Sequence, residues 1–404
     1  MVTYAQPAIP NEELWELAVR YRDDWLGFAQ RLIQTPSLPG DESAVACIIQ
    51  SEMHALGYER VWTDKVGNVI GWLRGEGGRP LMFNGHMDIV DPGNADEWPH
   101  PPYAGHVDAE WLWGRGASDM KAALALEVYA PALLRRAGIP LPGDCYVTAV
   151  VFEETGGLGT RTLAGELKAD VAVVGEATSN QIARGHRGRL EVLVHIKGRS
   201  VHASVPERGA NPHYSMARFL SALRGMEMTP SADFGSSSVA PTLYRTDQCS
   251  ANVIPGEAVL YLDWRNVPEE TPQDVIDSLQ NILDGCLEDG CEGHVALNVT
   301  HFHAYTGYEE TLPREFPGFV LAPDHPLIAQ AKEVLEHRFG HEVDVIKWRF
   351  ATDGAYLVNA GIPTIGFAPA SDLYPHTTGD RIALDAMAKG LVGYMALALE
   401  LGQV

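Results

Sequence analysis

Leu81-Met82-Phe83-Asn84-Gly85-His86-Met87-Asp88 begins as an apolar run and ends on a histidine and an aspartate two residues apart. Read as a strand, it points alternate side chains the same way, so the imidazole and the carboxylate share a face. One of them would bind a metal ion while the other holds its ring. Similar apolar runs follow, and several also end on a potential metal ligand. The strands expected nearby are Val66 to Leu73, Asp144 to Glu153 and Asp170 to Val174. Helical spacing marks the segments between and around them. Leu14, Leu17, Ala18, Tyr21, Trp25, Phe28 and Leu32 recur in threes and fours after a plausible N-cap at Asn11. Glu42 to Leu56 and Lys121 to Ala137 read the same way. Strands alternating with helices predict an α/β fold with a mixed, largely parallel sheet covered by helices.

The style changes after Gly185. Arg189 to Lys197, Ser238 to Arg245, Glu257 to Trp264 and Gly293 to Thr300 read as strands. Pro212 to Leu223 and Thr271 to Leu287 read as helices, the second opening on a capping-box-like Thr271-Pro272-Gln273-Asp274. The order β-α-β-β-α-β is ferredoxin-like. The chain is therefore expected to divide into a first part over 1–185, an α+β insert over 186–301 and a returning second part over 302–404. A Pro/Gly-rich segment, Tyr305 to Pro323, opens the return. Helices over Pro326 to Phe339, Gly354 to Ala360 and Ile382 to Leu401 follow, with strands over Val343 to Lys347 and Pro363 to Phe367.

Composition narrows the function classes. The 404 residues carry a formal charge of −23, which argues against nucleic acid or an anionic membrane as partner. Five cysteines, Cys47, Cys145, Cys249, Cys286 and Cys291, form no Cys-x-x-Cys pair, which suits a reducing cytoplasm. The start, Met1 to Pro7, lacks the basic and apolar regions of a secretory leader. No apolar stretch reaches membrane-spanning length.

Seven residues at five stations along the chain concentrate the chemistry. His86 and Asp88 come first. Asp119 lies in Gly114-Arg115-Gly116-Ala117-Ser118-Asp119-Met120-Lys121, a Gly-rich turn that opens a helix. Glu153 and Glu154 end one strand, Glu176 ends another, and His376 follows the last in Tyr374-Pro375-His376-Thr377. Ligands of open α/β sheets gather at the carboxyl ends of strands, where all of these fall. Taken singly, each has an ordinary reading; Asp119, for one, could simply cap its helix. Together, two imidazoles and several carboxylates suit a borderline ion such as Zn²⁺ rather than Mg²⁺ or Ca²⁺. Two ions need a shared ligand, which an aspartate supplies with its two oxygens. Hydrolysis also needs one glutamate left unligated as a base beside metal-bound water.

These motifs, in this order, resemble the co-catalytic zinc hydrolases that include aminoacylase, acetylornithine deacetylase, succinyl-diaminopimelate desuccinylase and carboxypeptidase G. The resemblance spans nearly the whole chain. It implies two Zn²⁺ per subunit, with Co²⁺ or Mn²⁺ as substitutes. It further implies that His86, Asp119, Glu154, Glu176 and His376 are the ligands, with Asp119 bridging. Asp88 would orient His86 from behind. Glu153 would be the general base for attack by metal-bound hydroxide on a C–N bond. The insert resembles that family's lid and dimerisation domain. Its Gly198-Arg199-Ser200-Val201-His202 segment implies a homodimer in which His202 reaches the partner's active site and stabilises the oxyanion. Asn252, Arg265 and Arg187 resemble substrate-contacting positions, although an ion pair is an equally ordinary use for Arg265.

The sequence departs from the family's usual pattern in places. Ala122-Ala123 stands for Gly-Gly after Asp119-Met120-Lys121, and Ala368-Pro369-Ala370 for Gly-Pro-Gly. Thr352-Asp353-Gly354 matches a family segment, but Phe350-Ala351 replaces the glycines before it. Arg184-Gly-His-Arg187-Gly-Arg189, Tyr305-Thr-Gly-Tyr308 and Lys347-Trp348-Arg349-Phe350 are similar to a branch of hydrolases linked to selenium metabolism. The expected activity is cleavage of an amide in a small N-acyl amino acid, dipeptide or related compound. Hydrolysis of a carbamoyl or ureido group or of an aromatic amine is the alternative chemistry. A metal- or ligand-binding protein on the same scaffold is the non-enzymatic one.

Overall fold

Residues 11–403 are described by a computed structural model; Met1 to Pro7, read above for a leader, lie outside them. Four apolar segments pair side by side and in parallel at its centre. In spatial order they are Gly143–Val150, Gly78–His86, Val171–Val174 and Thr364–Gly366. Arg60–Thr63 and Val69–Leu73 extend one side antiparallel, and Ile182–Ala183 and Val345–Ile346 extend the other. The eight strands form the mixed, largely parallel sheet expected. Its central strands are buried on both faces, as crossover helices require.

Helix Lys121–Arg136 is buried along almost its whole length, including Lys121 and Glu127. It runs between the sheet and an outer layer that includes Arg22–Ile33 and Leu384–Leu401. The long amphipathic pattern from Asn11 is two helices, Asn11–Arg20 and Arg22–Ile33, broken at Tyr21 (φ −101, ψ 20). Leu14, Leu17, Ala18, Trp25, Phe28 and Leu32 still share one buried side. Asn11 does not cap: it lies within the first helix and its amide donates to the carbonyls of His337 and Arg338.

A second antiparallel sheet has the order Ser238–Thr246, Glu257–Arg265, Arg189–Lys197, Glu292–Leu297. Helices Pro212–Leu223 and Pro272–Asp284 cover it, and the capping box at Thr271 and Asp274 is formed. Leu190, Val192, Val194, Phe219, Leu262, Trp264 and Leu279 make a core separate from that of the large sheet. The Pro/Gly-rich return is not a plain loop. Glu309–Pro313 pairs with Val299–His303, Glu315–Phe316 with the start of Arg189–Lys197, and Phe319–Val320 with Gly185–His186. The two chain crossings between the sheets therefore lie side by side.

Candidate metal centre

Parallel register brings the chemistry together. His86 is level with Val150, and Asn84 with Val174. Glu153 and Glu176 therefore leave their strands just beyond the same edge. Strand Gly78–His86 ends at His86, so Asp88 is past the pleat and the shared-face argument does not apply to it. Instead the chain turns, and His86 Nδ1 lies 2.9 Å from the backbone oxygen of Asp88. That hydrogen bond fixes the tautomer and leaves Nε2 free to accept or to ligate.

The Asp88 carboxylate does something the sequence did not suggest. It stands 3.6 Å from the His86 ring but accepts the backbone N–H groups of Glu153 (3.1 Å) and Glu154 (3.0 Å). It thus orders the turn that carries both glutamates. Phe152, just before that turn, is held in the left-handed region (φ 58), as is His376 (φ 61). Such backbone strain in non-glycine residues clusters at functional sites.

Asp119 faces two ways. Its Oδ1 is 2.9 Å from His86 Nε2, which is also 3.4 Å from Glu176 Oε1. Its Oδ2 is 3.2 Å from His376 Nε2, and His376 is 3.2 Å from Glu154. Ligand atoms of His86, Asp119 and Glu154 lie within 4.8 Å of one another, and so do those of His86, Glu153 and Glu176. Glu153 is thus as well placed to ligate as to act as base. The donor set, two imidazoles and four carboxylates mostly out of water, fits divalent cations of the zinc type. It is also electrostatically costly without cations. Burial raises the Glu153, Glu154 and Glu176 carboxyls above their ordinary range, and neighbouring carboxylates add to each shift. Burial alone would lower His86, yet Asp119 and Glu176 hold it well above its usual value. Hydrogen bonds donated to Asp119 and Glu154 raise His376 to about 10.

The roles of several supporting residues escaped the sequence reading. Asp380, buried, accepts from Gly116 N (2.8 Å), Ser118 N (2.9 Å), Ser118 Oγ (2.6 Å) and Arg115 (3.1 Å), and so fixes the loop before Asp119. Lys121 donates to the carbonyls of Leu32 (3.0 Å) and Thr35 (2.7 Å), and burial pushes it down to about 7. Asp353 accepts from Thr160 Oγ1 at 2.5 Å, which in turn takes a bond from Asn84. Gly85 and Gly175 precede two of the candidate ligands for a steric reason. A Cβ at either would lie 2.5 Å from Met120 Cε and within 2.7 Å of a Glu127 oxygen. Gly85, Lys121 and Asp353 stood in motifs quoted from the sequence without a role, and Asp380 was not read at all.

The remaining candidates lie outside the large sheet, His202 in a two-residue strand paired with Val253–Ile254 and Arg265 at the end of Glu257–Arg265. His202 is exposed, and its Nδ1 is 2.7 Å from Ser204 Oγ. Asn252 lies beside it, its carbonyl accepting from Ala203. Arg265 is engaged by Asp263 on its own strand, at 2.6 and 3.2 Å. Arg187 reaches Ser236 O and Ser238 Oγ at 3.5 Å. Among the described residues, none of these four has a hydrogen bond or ion pair to the carboxylates of the centre.

No helix of the described residues is long and apolar enough to cross a membrane. Known proteins agree with the motif reading. The YgeY protein of Escherichia coli is 27% identical over 399 residues, covering 97% of this chain and 98% of that one. A succinyl-diaminopimelate desuccinylase of Paracoccus denitrificans is 32% identical over 250 residues, 58% of this chain and 65% of that one. The solved structure of Bacillus subtilis YXEP, described as a dinuclear metal binding peptidase, superposes with a TM-score of 0.71 at 16% identity. It covers 95% of this chain and 98% of that chain, so the fold is shared. The description of peptidase family M20/M25/M40 matches residues 82–400. The chain belongs to that family, and it is a metal-dependent hydrolase.

Proposed function

We propose that this protein is a dizinc hydrolase that cleaves the amide bond of a small N-acyl amino acid, dipeptide or related amide. The observation that carries the reading is the division of Asp119. One of its oxygens is turned to His86 and Glu176, the other to His376 and Glu154. Those five side chains would hold two divalent ions. When bound, such ions supply Lewis acidity, which polarises a carbonyl and acidifies water. The desuccinylase name of the Paracoccus relative supports an amide substrate, and the dinuclear description of the Bacillus neighbour supports two ions.

Glu153 performs the proton transfer. It takes a proton from the attacking water and returns it to the departing nitrogen as the C–N bond breaks. Burial, together with the charges of Asp353, Glu176 and Glu154, makes its carboxylate a stronger base, against the pull of His86. Asp88 holds Glu153 and Glu154 in place through their backbone. His202 is assigned to the partner subunit's site, where it stabilises the oxyanion, with Asn252, Arg265 and Arg187 contacting substrate. A homodimer through the inserted unit, 186–301, is supported by its exposed apolar edge. Tyr214 and Leu220 lie on the helix there, and Leu243 and Tyr244 on the outer strand. Five free cysteines support a reducing, cytoplasmic setting.

Exhaustive chelation should abolish hydrolysis across a panel of N-acyl amino acids and dipeptides, and Zn²⁺, Mn²⁺ or Co²⁺ should restore it. Full turnover by metal-free protein would refute the reading.

A further inference from the structure

Arg349 and Asp372 are two charged side chains that the mechanism leaves unused. They line a cavity of about 230 Å³ together with Thr178, Ser179, Lys347 and Trp348. Thr178 and Ser179 follow Glu176 by two and three residues, and Asp372 precedes His376 by four. Three extended residues span at most about 11 Å, which bounds the backbone separation of Ser179 from Glu176.

The wall of this cavity is rigid. Trp348 Nε1 donates to Ala177 O at 3.0 Å and its backbone N–H to Gly185 O at 3.0 Å. Thr178 Oγ1 donates to Ala368 O at 2.9 Å, and Ser179 N to Ala370 O at 2.7 Å. Ser179 and Asn180 are both left-handed, with φ 55 and 60, a conformation that persists only where surroundings enforce it. Lys347 is already committed. Its ammonium donates to the backbone oxygen of Asp233, lies 3.5 Å from that carboxylate, and covers the Phe234 ring at 5.1 Å.

Arg349 and Asp372 are different. Neither makes a hydrogen bond or ion pair with any described residue, and they do not pair with each other. One free cation and one free anion facing a small cavity match the two poles of a zwitterion. A guanidinium grips a carboxylate with two parallel donors, and a carboxylate accepts an ammonium. We infer that this cavity binds the α-amino-acid head group of the substrate, with Arg349 on its carboxylate and Asp372 on its ammonium. Resting on the hydrolase reading, this restricts the preferred amides to those with a free zwitterionic end away from the scissile bond.

Calorimetric titration of the full chain with three probes tests this without turnover. L-Norleucine carries both charges, hexanoate lacks the ammonium and pentylamine lacks the carboxylate. Norleucine is expected to bind at least tenfold tighter than either. Arg349→Gln should reduce norleucine to the level of pentylamine, and Asp372→Asn to the level of hexanoate. Both positions are exposed, so the fold should survive, as circular dichroism would show. Equal binding of the three probes, no binding of norleucine, or binding unchanged in both variants would overturn the inference. The hydrolase reading fails separately, through turnover in metal-free protein.

Discussion

Glu153 and Glu154 are neighbours in sequence, yet the mechanism gives them different work. Glu154 faces His376, while Glu153 lies with His86 and Glu176. Glu153→Gln keeps the shape and removes the base. Its kcat should fall by at least about 10²-fold, the usual contribution of general-base catalysis, with metal content unchanged by atomic emission. A fall in metal content would make Glu153 a ligand instead. Asp88→Asn should cost about 10- to 100-fold in metal affinity or turnover, as loss of a supporting residue commonly does. The amide retains one acceptor for the two backbone donors of Glu153 and Glu154. Titrating metal into the stripped variant measures the affinity part. The identity of these residues was legible because ligand types recur at strand ends. The means by which Asp88 acts was not, because it depends on a turn folding 65 residues away.

At the scale of elements, the parallel strands and the register of their carboxyl ends place the centre, and the paired crossings place the second sheet beside it. His186 lies in one crossing, fully buried. Its Nε2 accepts the Thr352 backbone N–H at 3.1 Å, and burial lowers its pKa to about 4. A histidine neutral when folded and titrating near 6.5 when unfolded stabilises fully above that value. Its contribution is lost as pH falls toward 4. At pH 4.5 the loss amounts to about 2–3 kcal/mol for a shift of this size. His186→Gln should therefore show a smaller drop in urea stability between pH 7 and pH 4.5 than the parent protein. Equal drops would remove His186 from the account. Apolar runs and capping residues revealed the long strands and helices. Val345–Ile346 lies within the strand expected over Val343 to Lys347, but its partner Ile182–Ala183 and the pair Gly185–His186 with Phe319–Val320 were invisible beforehand. Two residues carry no periodicity, and only the tertiary fold makes them strands.

On the scale of the whole molecule, two cores divide the labour. The large sheet gathers the carboxylates and imidazoles, and the segment between its two parts displays His202 and Asn252 in solvent. In a two-fold dimer with composite sites, mixing His202→Ala chains with Glu153→Ala chains creates one complete site in each mixed dimer. With random pairing, roughly a quarter of parental activity should return. No recovery in verified mixed dimers would confine the site to one chain. The charge of −23 now has a local component, since buried carboxylates cluster where cations belong. The measurement that bears most directly on that cluster is metal stoichiometry. Protein stripped of metal, saturated with Zn²⁺ and freed of excess should hold two ions per chain, and the Asp119→Ala variant should hold no more than one. A single ion in the parent protein, or two in the variant, would contradict a dinuclear centre bridged by Asp119.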